Sequence, residues 1–550
     1  MIKKLRIKTQ LLESNIFIFL YYFIISTIWT YPLILKMRSL AGHGDAWQFL
    51  WNFWWVKTAL LELHTNLFYT SYLHWPSGIS LLYQTLSLSN SLVAVPLQYL
   101  FGLVTTYNIL VFFSFAMTGL ATYLLAFYLT RNKIASFVGG YIVAFSPFHF
   151  AHYFGHLNLL SFEWIPLYIL YLIKMTRGES SWKLPTTFLV LTAFTDLYYL
   201  LYLILFTILF FAFKLVTDKK MFDKDFIKNL IFMVLIGGLV LSPYLGSMVW
   251  TRLFNSDFNV LGHDPVINST DIYAFFIPNH ISYFKQYTYN FWSRWTGYQE
   301  GVGYLGYGIL FLVFYALWKI RNRSTAFWTL CASVFGILSL GPLLHINGQI
   351  TKIKLPYLLL DKYIPFFSIA GVPTRMTSIM FLALAILSAY AITRLMTGDK
   401  KYKLLLFVLL PLIIFEYAPT KLDISQVTVP SFYITLAKDK QDYAILDVSD
   451  NEAKILFYQT VHSKRLIGGY TSRPTVSTNN FLQKTPVISN IFFGKDLKPI
   501  KSIKAKDILS FYNVKYVLIA KEDLDRANYL IVSGLKNIYN DQTMSVFIVY

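Results

Sequence analysis

Long apolar segments separated by short basic clusters constrain this chain more than any other feature. In hydrocarbon every backbone N–H and C=O group must be satisfied within its own segment, so runs such as Asn229–Trp250 fold as membrane-spanning helices. The rest of the composition agrees. Over 550 residues the mean hydropathy is +0.50 and only 14% of residues are charged, against roughly a quarter in soluble domains. Tyr 40, Phe 48 and Trp 13 give a strongly aromatic chain, suited to interfacial belts and to a sugar-stacking surface.

A formal charge of +20 raises the question of nucleic acid, and the location of the charge answers it. The basic clusters Lys3-Lys4-Leu5-Arg6, Arg131 with Lys133, Lys174–Lys183, Lys214–Lys228, Lys319–Arg323 and Arg394–Lys403 lie between apolar spans. They read as positive-inside topology signals, not as a nucleic-acid footprint. The single cysteine, Cys331, excludes a disulfide framework and a cysteine metal cluster. Ile16–Leu35 follows a basic start, but its apolar run of about 20 residues exceeds a signal-peptide core and fits a first span.

With every basic cluster on the cytoplasmic side, the chain reads as a polytopic α-helical membrane protein of about eleven spans. These are Ile16–Lys36, Val104–Thr130, Ala135–Phe150, Leu157–Ile173, Leu184–Thr195, Tyr198–Val216, Asn229–Trp250, Val302–Trp318, Ala326–Leu340, Met376–Ala391 and Leu404–Tyr417. The stretch Leu184–Phe213 as one helix would be ~45 Å long, too much for a ~30 Å core; a hairpin with Thr195-Asp196 at its outer tip fits instead. The N-terminus is then cytoplasmic, and the long segments 37–103, 251–301, 342–375 and everything after Ala418 lie outside. Residues 1–418 form the transmembrane domain. Residues 419–550, with β-rich runs such as Tyr443–Val448 and Lys515–Ala520 beside helical stretches, form a small extracytoplasmic α/β domain. That domain has no P-loop, G-x-G-x-x-G or G-x-S-x-G, and no chemistry is assigned to it.

Trp47, Trp51, Trp54 and Trp55 recur at helical spacing, with Gln48, Asn52 and Lys57 off that face, as in a helix lying in the membrane interface. Tyr83–Phe101 reads as a second juxtamembrane helix. Asp45, in Gly42-His-Gly-Asp-Ala-Trp, is either a surface carboxylate able to act as a base or the N-cap of the following helix. His149, His152 and His156 recur at i, i+3 and i+7, followed by Asn158 and Glu163. Polar groups so near hydrocarbon line a wet cavity or make interfacial hydrogen bonds, and a divalent metal is a further option. Arg375 could clamp a phosphate at headgroup depth or snorkel. Asp264, Asp271 and Glu300 rank below Asp45, because solvated loop acids are common.

The chain resembles the GT-C superfamily of membrane glycosyltransferases, which includes protein O-mannosyltransferases, the bacterial aminoarabinose lipid A transferase and oligosaccharyltransferases. The likeness lies in a first span leading to a long outer loop with an early acid and juxtamembrane helices, a second polar outer loop, and a soluble domain after the last span. Ser146-Pro-Phe-His-Phe-Ala-His-Tyr-Phe-Gly-His-Leu-Asn-Leu-Leu and Glu163-Trp-Ile-Pro-Leu-Tyr carry a closer resemblance to bacterial and archaeal membrane proteins of this type. The resemblance implies a polyprenyl-phosphate-linked sugar as donor and a glycan, lipid or protein acceptor, with membrane lipids as surroundings.

It also implies that the first-loop acid, here Asp45, is the base or positions the acceptor. Asp45 lacks the paired acid that family members often carry, since its neighbours are His43 and Trp47. For the second-loop acid, Glu163 is the nearest carboxylate, with His156 and Asn158 in the expected loop. The expected site comprises Asp45 as catalytic residue, with Trp47, Trp51, His152, His156, Asn158, Glu163, Asp196 and Arg375 for substrate, the donor lying between the first-loop helices and the bundle. A lipid-linked sugar transporter or a non-catalytic scaffold with a glycan- or protein-binding tail is the alternative; a transporter usually shows paired broken helices in repeated halves, which are not evident here.

Overall fold

The computed structural model describes residues 2–255, 262–398, 400–473, 475–497 and 504–550. The side chains of Lys3, Lys4, Arg6, Lys400 and Lys401, all part of the expected topology signal, lie outside what is described. Contacts divide the chain into two units, one of residues 1–37, 108–242 and 262–424, the other of residues 38–107, 243–261 and 425–550. The division in space therefore differs from a cut at 418/419. The first outer segment belongs with the C-terminal domain.

The first unit is helical. Five described helices are long and apolar enough to cross a membrane: Leu103–Thr130, Leu157–Met175, Leu197–Thr217, Lys224–Phe254 and Pro373–Thr397. A sixth is counted if Lys133–Ala144 and Pro147–Tyr153, bent by 44°, act as one span. Asn15–Trp29 and Tyr307–Lys319 are shorter apolar helices. Two other expected spans form helices of 13 residues (Lys183–Thr195) and 17 residues (Arg323–Ser339), or ~20 and ~26 Å at 1.5 Å per residue, both short of a ~30 Å core.

Thr377–Thr397 is buried nearly all round and packs against Lys133–Ala144, Tyr307–Lys319 and Arg323–Ser339. Its small residues Ala383, Ala385, Ser388, Ala389 and Ala391 allow this, since close backbone approach replaces the hydrophobic drive that lipid removes. A Cβ on Gly139 would lie 3.5 Å from the Ala385 carbonyl oxygen. In contrast, only 17% of the apolar window of Lys224–Phe254 is buried, and its exposed Val234, Leu235 and Leu239 suit a lipid-facing surface. The hairpin expected at Asp196 forms: Lys183–Thr195 ends there, and the Asp196 Oδ1 atom accepts from the Tyr198 N–H at 2.7 Å to start Leu197–Thr217.

The second unit is α/β. Strands β1 (Ala444–Val448), β2 (Arg465–Leu466), β3 (Val514–Ala520), β4 (Lys536–Asn540) and β5 (Met544–Ile548) make a sheet in the order β4-β5-β3-β1-β2. β1 runs parallel to β2 and β3, whereas β5 is antiparallel to both β3 and β4. Leu446, Val517, Ile519 and Phe547 centre its core.

Helix α1 (Ala46–Lys57) packs against α2 (Glu452–His462). Trp47, Trp51, Trp54 and Trp55 are each at most 7% exposed, so α1 is a core helix of this unit and not one lying in the membrane interface. Its polar groups find protein partners: Trp51 Nε1 donates to Gln459 Oε1 at 2.7 Å, Trp55 Nε1 to the Leu67 carbonyl at 3.0 Å, and Asn52 Nδ2 to the Thr85 carbonyl at 2.7 Å. Partnered in this way, an indole can be buried completely.

Candidate functional site

In the helical unit, a break in the chain gathers the polar residues. Phe145 ends one helix and Ser146 begins the next, its hydroxyl accepting from the His149 N–H at 3.2 Å with Pro147 in the first turn, a favoured start. The short helices Pro147–Tyr153 and Leu157–Leu160 then carry His152 and Asn158 inside the unit, with half-buried His156 at the head of the second. His149 does not join them, because its ring nitrogens lie 2.6 Å from the Ala144 carbonyl and 2.5 Å from the Leu160 carbonyl, a local tie.

His152 and His156 face each other, their Nδ1 atoms 3.1 Å apart. The His156 Nδ1 atom lies 3.9 Å from Glu300 Oε1, and Glu300 in turn receives Arg375 Nη2 at 2.6 Å and Nε at 3.2 Å. Arg375 also stacks over the Tyr198 ring, 4.7 Å from its centroid. Asn158 Nδ2 donates to Asp196 Oδ2 at 2.5 Å. Burial alone would raise the Glu300 carboxyl, but the Arg375 guanidinium and then His156 hold it well below the usual carboxylate range. The pair is therefore ionic, and Glu300 is not a solvated loop acid: its side chain is 17% exposed.

Among the described residues His152 Nε2, Asn158 Oδ1 and both Glu163 carboxylate oxygens are buried without a hydrogen-bond partner. Buried polar groups rarely stay so, and these atoms mark the unit's polar interior as able to take water or a polar ligand. No group of three or more histidine, cysteine or acidic residues that could hold a metal ion occurs among the described residues. Arg375 meets this cluster through Glu300, whose carboxylate takes the two-nitrogen edge that a phosphate would use. Asp271, by contrast, is structural: it accepts from the backbone N–H groups of Tyr273, Asn347 and Gly348.

In the other unit Asp45 stands at the head of α1 but makes no capping hydrogen bond with its side chain. Instead its Oδ1 accepts from the Tyr470 hydroxyl at 2.8 Å. Asp45 is half-buried, His43 and Gly44 beside it are exposed, and a Cβ on Gly44 would meet nothing within 4 Å. Trp47 packs on Phe457 with centroids 5.3 Å apart, and Trp51 is tied to Gln459, so both rings are engaged by the C-terminal domain. Tyr470, 425 residues from Asp45, carried no signal in the sequence. Glu300 carried a weak one, an acid next to Gly301 where an outer loop re-enters an apolar segment.

The fold is shared with membrane glycosyltransferases of known structure. The chain belongs to the family described as Domain of unknown function (DUF6311), whose model matches residues 23–416. Among solved structures it is similar to the arabinofuranosyltransferase AftD from Mycobacteria, at 11% identity and a TM-score of 0.60, covering 98% of this chain and 41% of that one. It is likewise similar to the Archaeoglobus fulgidus oligosaccharyltransferase in complex with Zn and sulfate, at 13% identity and a TM-score of 0.50, covering 92% of this chain and 68% of that one. ArnT from Cupriavidus metallidurans bound to undecaprenyl phosphate matches at 12% identity and a TM-score of 0.48, over 96% of this chain and 98% of that one. The chain thus spans about two-fifths of the AftD chain. No curated protein matches it in sequence.

Proposed function

We propose that this chain is an integral membrane glycosyltransferase that moves a sugar from a polyprenyl-phosphate-linked donor to an acceptor hydroxyl at the outer face of the membrane. The observation that carries the reading is the state of Asp45: a half-buried carboxylate at the head of a packed helix, making no side-chain cap and accepting instead from the Tyr470 hydroxyl. The GT-C fold supports the class of reaction.

In the proposed step Asp45 takes the proton of the acceptor hydroxyl as its oxygen attacks the anomeric carbon. The bond from that carbon to the phosphate oxygen breaks, and the polyprenyl phosphate leaves with the electron pair. The anomeric centre inverts. Within the helical unit, His152, His156, Asn158, Glu163, Asp196 and the Glu300–Arg375 pair are candidates for binding a polar group, with Arg375 acting mainly by holding Glu300 in its ionised form. Trp47 and Trp51 support the reading as the packing that fixes α1, and so Asp45, and not as stacking platforms.

The test is transfer of radiolabelled sugar from a panel of polyprenyl-phosphate sugars in proteoliposomes, comparing wild type with Asp45→Asn. Loss of transfer by a variant that still folds is the expected result. Full activity in Asp45→Asn removes the central role. Movement of labelled lipid between leaflets without transfer favours a transporter.

A further inference from the structure

The Asp45 side chain makes no cap hydrogen bond to the helix it begins. A partner for it comes from the C-terminal domain. The Tyr470 hydroxyl donates to Asp45 Oδ1 at 2.8 Å, and the chain on either side of Tyr470 is tied to the first outer segment. Before it, the Leu466 N–H donates to the Tyr72 carbonyl at 2.9 Å and the His74 N–H to the Gly468 carbonyl at 2.9 Å. After it, the Ser472 hydroxyl donates to Gln84 Oε1 at 2.8 Å, and Gln84 Nε2 returns a bond to the Arg473 carbonyl at 3.0 Å.

The turn that aims Tyr470 also depends on Gly469. Its φ of +125° lies where side chains are disfavoured, and a Cβ there would come within 2.8 Å of Leu73 Cδ2. Burial, then the adjacent Asp45 charge, raises the Tyr470 phenol far above its ordinary value. It stays a hydrogen donor at any working pH.

We propose that Tyr470 is a positioning residue of the glycosyl transfer reaction: the C-terminal domain supplies the hydroxyl that fixes the Asp45 carboxylate for proton abstraction. This rests on the reading of Asp45 as base. A carboxylate with one oxygen held loses its freedom to rotate, and the geometry for taking a proton is then set before the acceptor arrives. The soluble domain, to which the sequence assigns no chemistry, becomes part of the catalytic apparatus.

Tyr470→Phe removes the hydroxyl and keeps the ring. With radiolabelled undecaprenyl-phosphate sugars as probes, kcat is expected to fall about tenfold with KM unchanged, and the thermal midpoint to stay at the wild-type value. In the Asp45→Asn background the same change is expected to have no further effect, because both act through one group. A readout that needs no turnover is carbodiimide labelling of Asp45 followed by peptide mass spectrometry, expected to be several-fold faster in Tyr470→Phe. Inactive Asp45→Asn together with wild-type kcat and wild-type labelling in Tyr470→Phe overturns the positioning role and leaves the base in place. Full transfer by Asp45→Asn overturns both. Unchanged labelling in Tyr470→Phe overturns the positioning role whatever the donor proves to be.

Discussion

Arg375 grips Glu300 by two nitrogens across 75 residues of sequence, Nη2 2.6 Å from Oε1 and Nε 3.2 Å from Oε2. Both side chains are largely buried, with 9% and 17% of their surface exposed. Removing one partner of such a pair strands the other charge, at a cost of about 3–5 kcal/mol. Arg375→Met is therefore expected to lower the unfolding midpoint markedly in detergent micelles. The double variant Arg375→Met/Glu300→Met is expected to lose much less than the two single losses combined, which a double-mutant cycle reads directly. Additive losses would show that the pair is not coupled.

Trp51 is 2% exposed and its indole nitrogen is spent on Gln459. Trp51→Phe leaves the Gln459 carbonyl oxygen without that donor and removes buried ring volume. A loss of about 1–3 kcal/mol is expected. Thermal melts should move while the KM for any accepted donor should not. A raised KM at an unchanged melt would make the ring a sugar platform after all.

The C-terminal domain carries two buried groups whose titrations oppose each other. Burial, aided by the Lys464 charge, pushes the His462 imidazole from 6.5 down to about 3. The unfolded chain therefore binds this proton first on acidification, and stability present above about pH 6.5 is lost as pH falls toward 3, by up to ~1.4 kcal/mol per pH unit. Burial pushes Asp447 from 3.8 up to about 6, against hydrogen bonds from Tyr433 and Ser449. Its contribution is fully present below 3.8 and is lost as pH rises through 6. Between these values the two slopes offset one another. His462→Gln is expected to flatten the acid loss of stability and Asp447→Asn to steepen it, measured as chemical-denaturation midpoints from pH 7.5 to 4.5.

Cys331 is buried, so the chain offers a clean background for added cysteines. Phe511, 81% exposed in the C-terminal domain, is a suitable position. Phe511→Cys is expected to react with a membrane-impermeant maleimide on intact cells. Labelling only after the cells are opened would reverse the expected orientation.

Five or six of the expected apolar spans, the hairpin at Asp196 and the α/β elements of the tail were legible in the sequence because each is written locally, in periodicity and in the cost of burying a charge. The candidate acid Asp45 was legible for the same reason, through its place beside the first span. Two readings failed on partners that local pattern cannot name. The tryptophan repeat of α1 has the spacing of an interfacial helix and of a core helix alike, and only Gln459 and Phe457, four hundred residues away, decide for the core. Glu300 resembles any loop acid until Arg375 and His156 close on it.

The sequence by itself thus determined that the chain is a helical membrane protein with a mixed α/β tail, since hydropathy and period act over a turn or a span. Tertiary structure alone decided which acid is ionised in a buried pair, which helix is core, and that the hydroxyl on Asp45 comes from the far end of the chain. Hydrogen bonds and charge pairs depend on distances of a few ångströms, and sequence separation does not set those distances; the fold does.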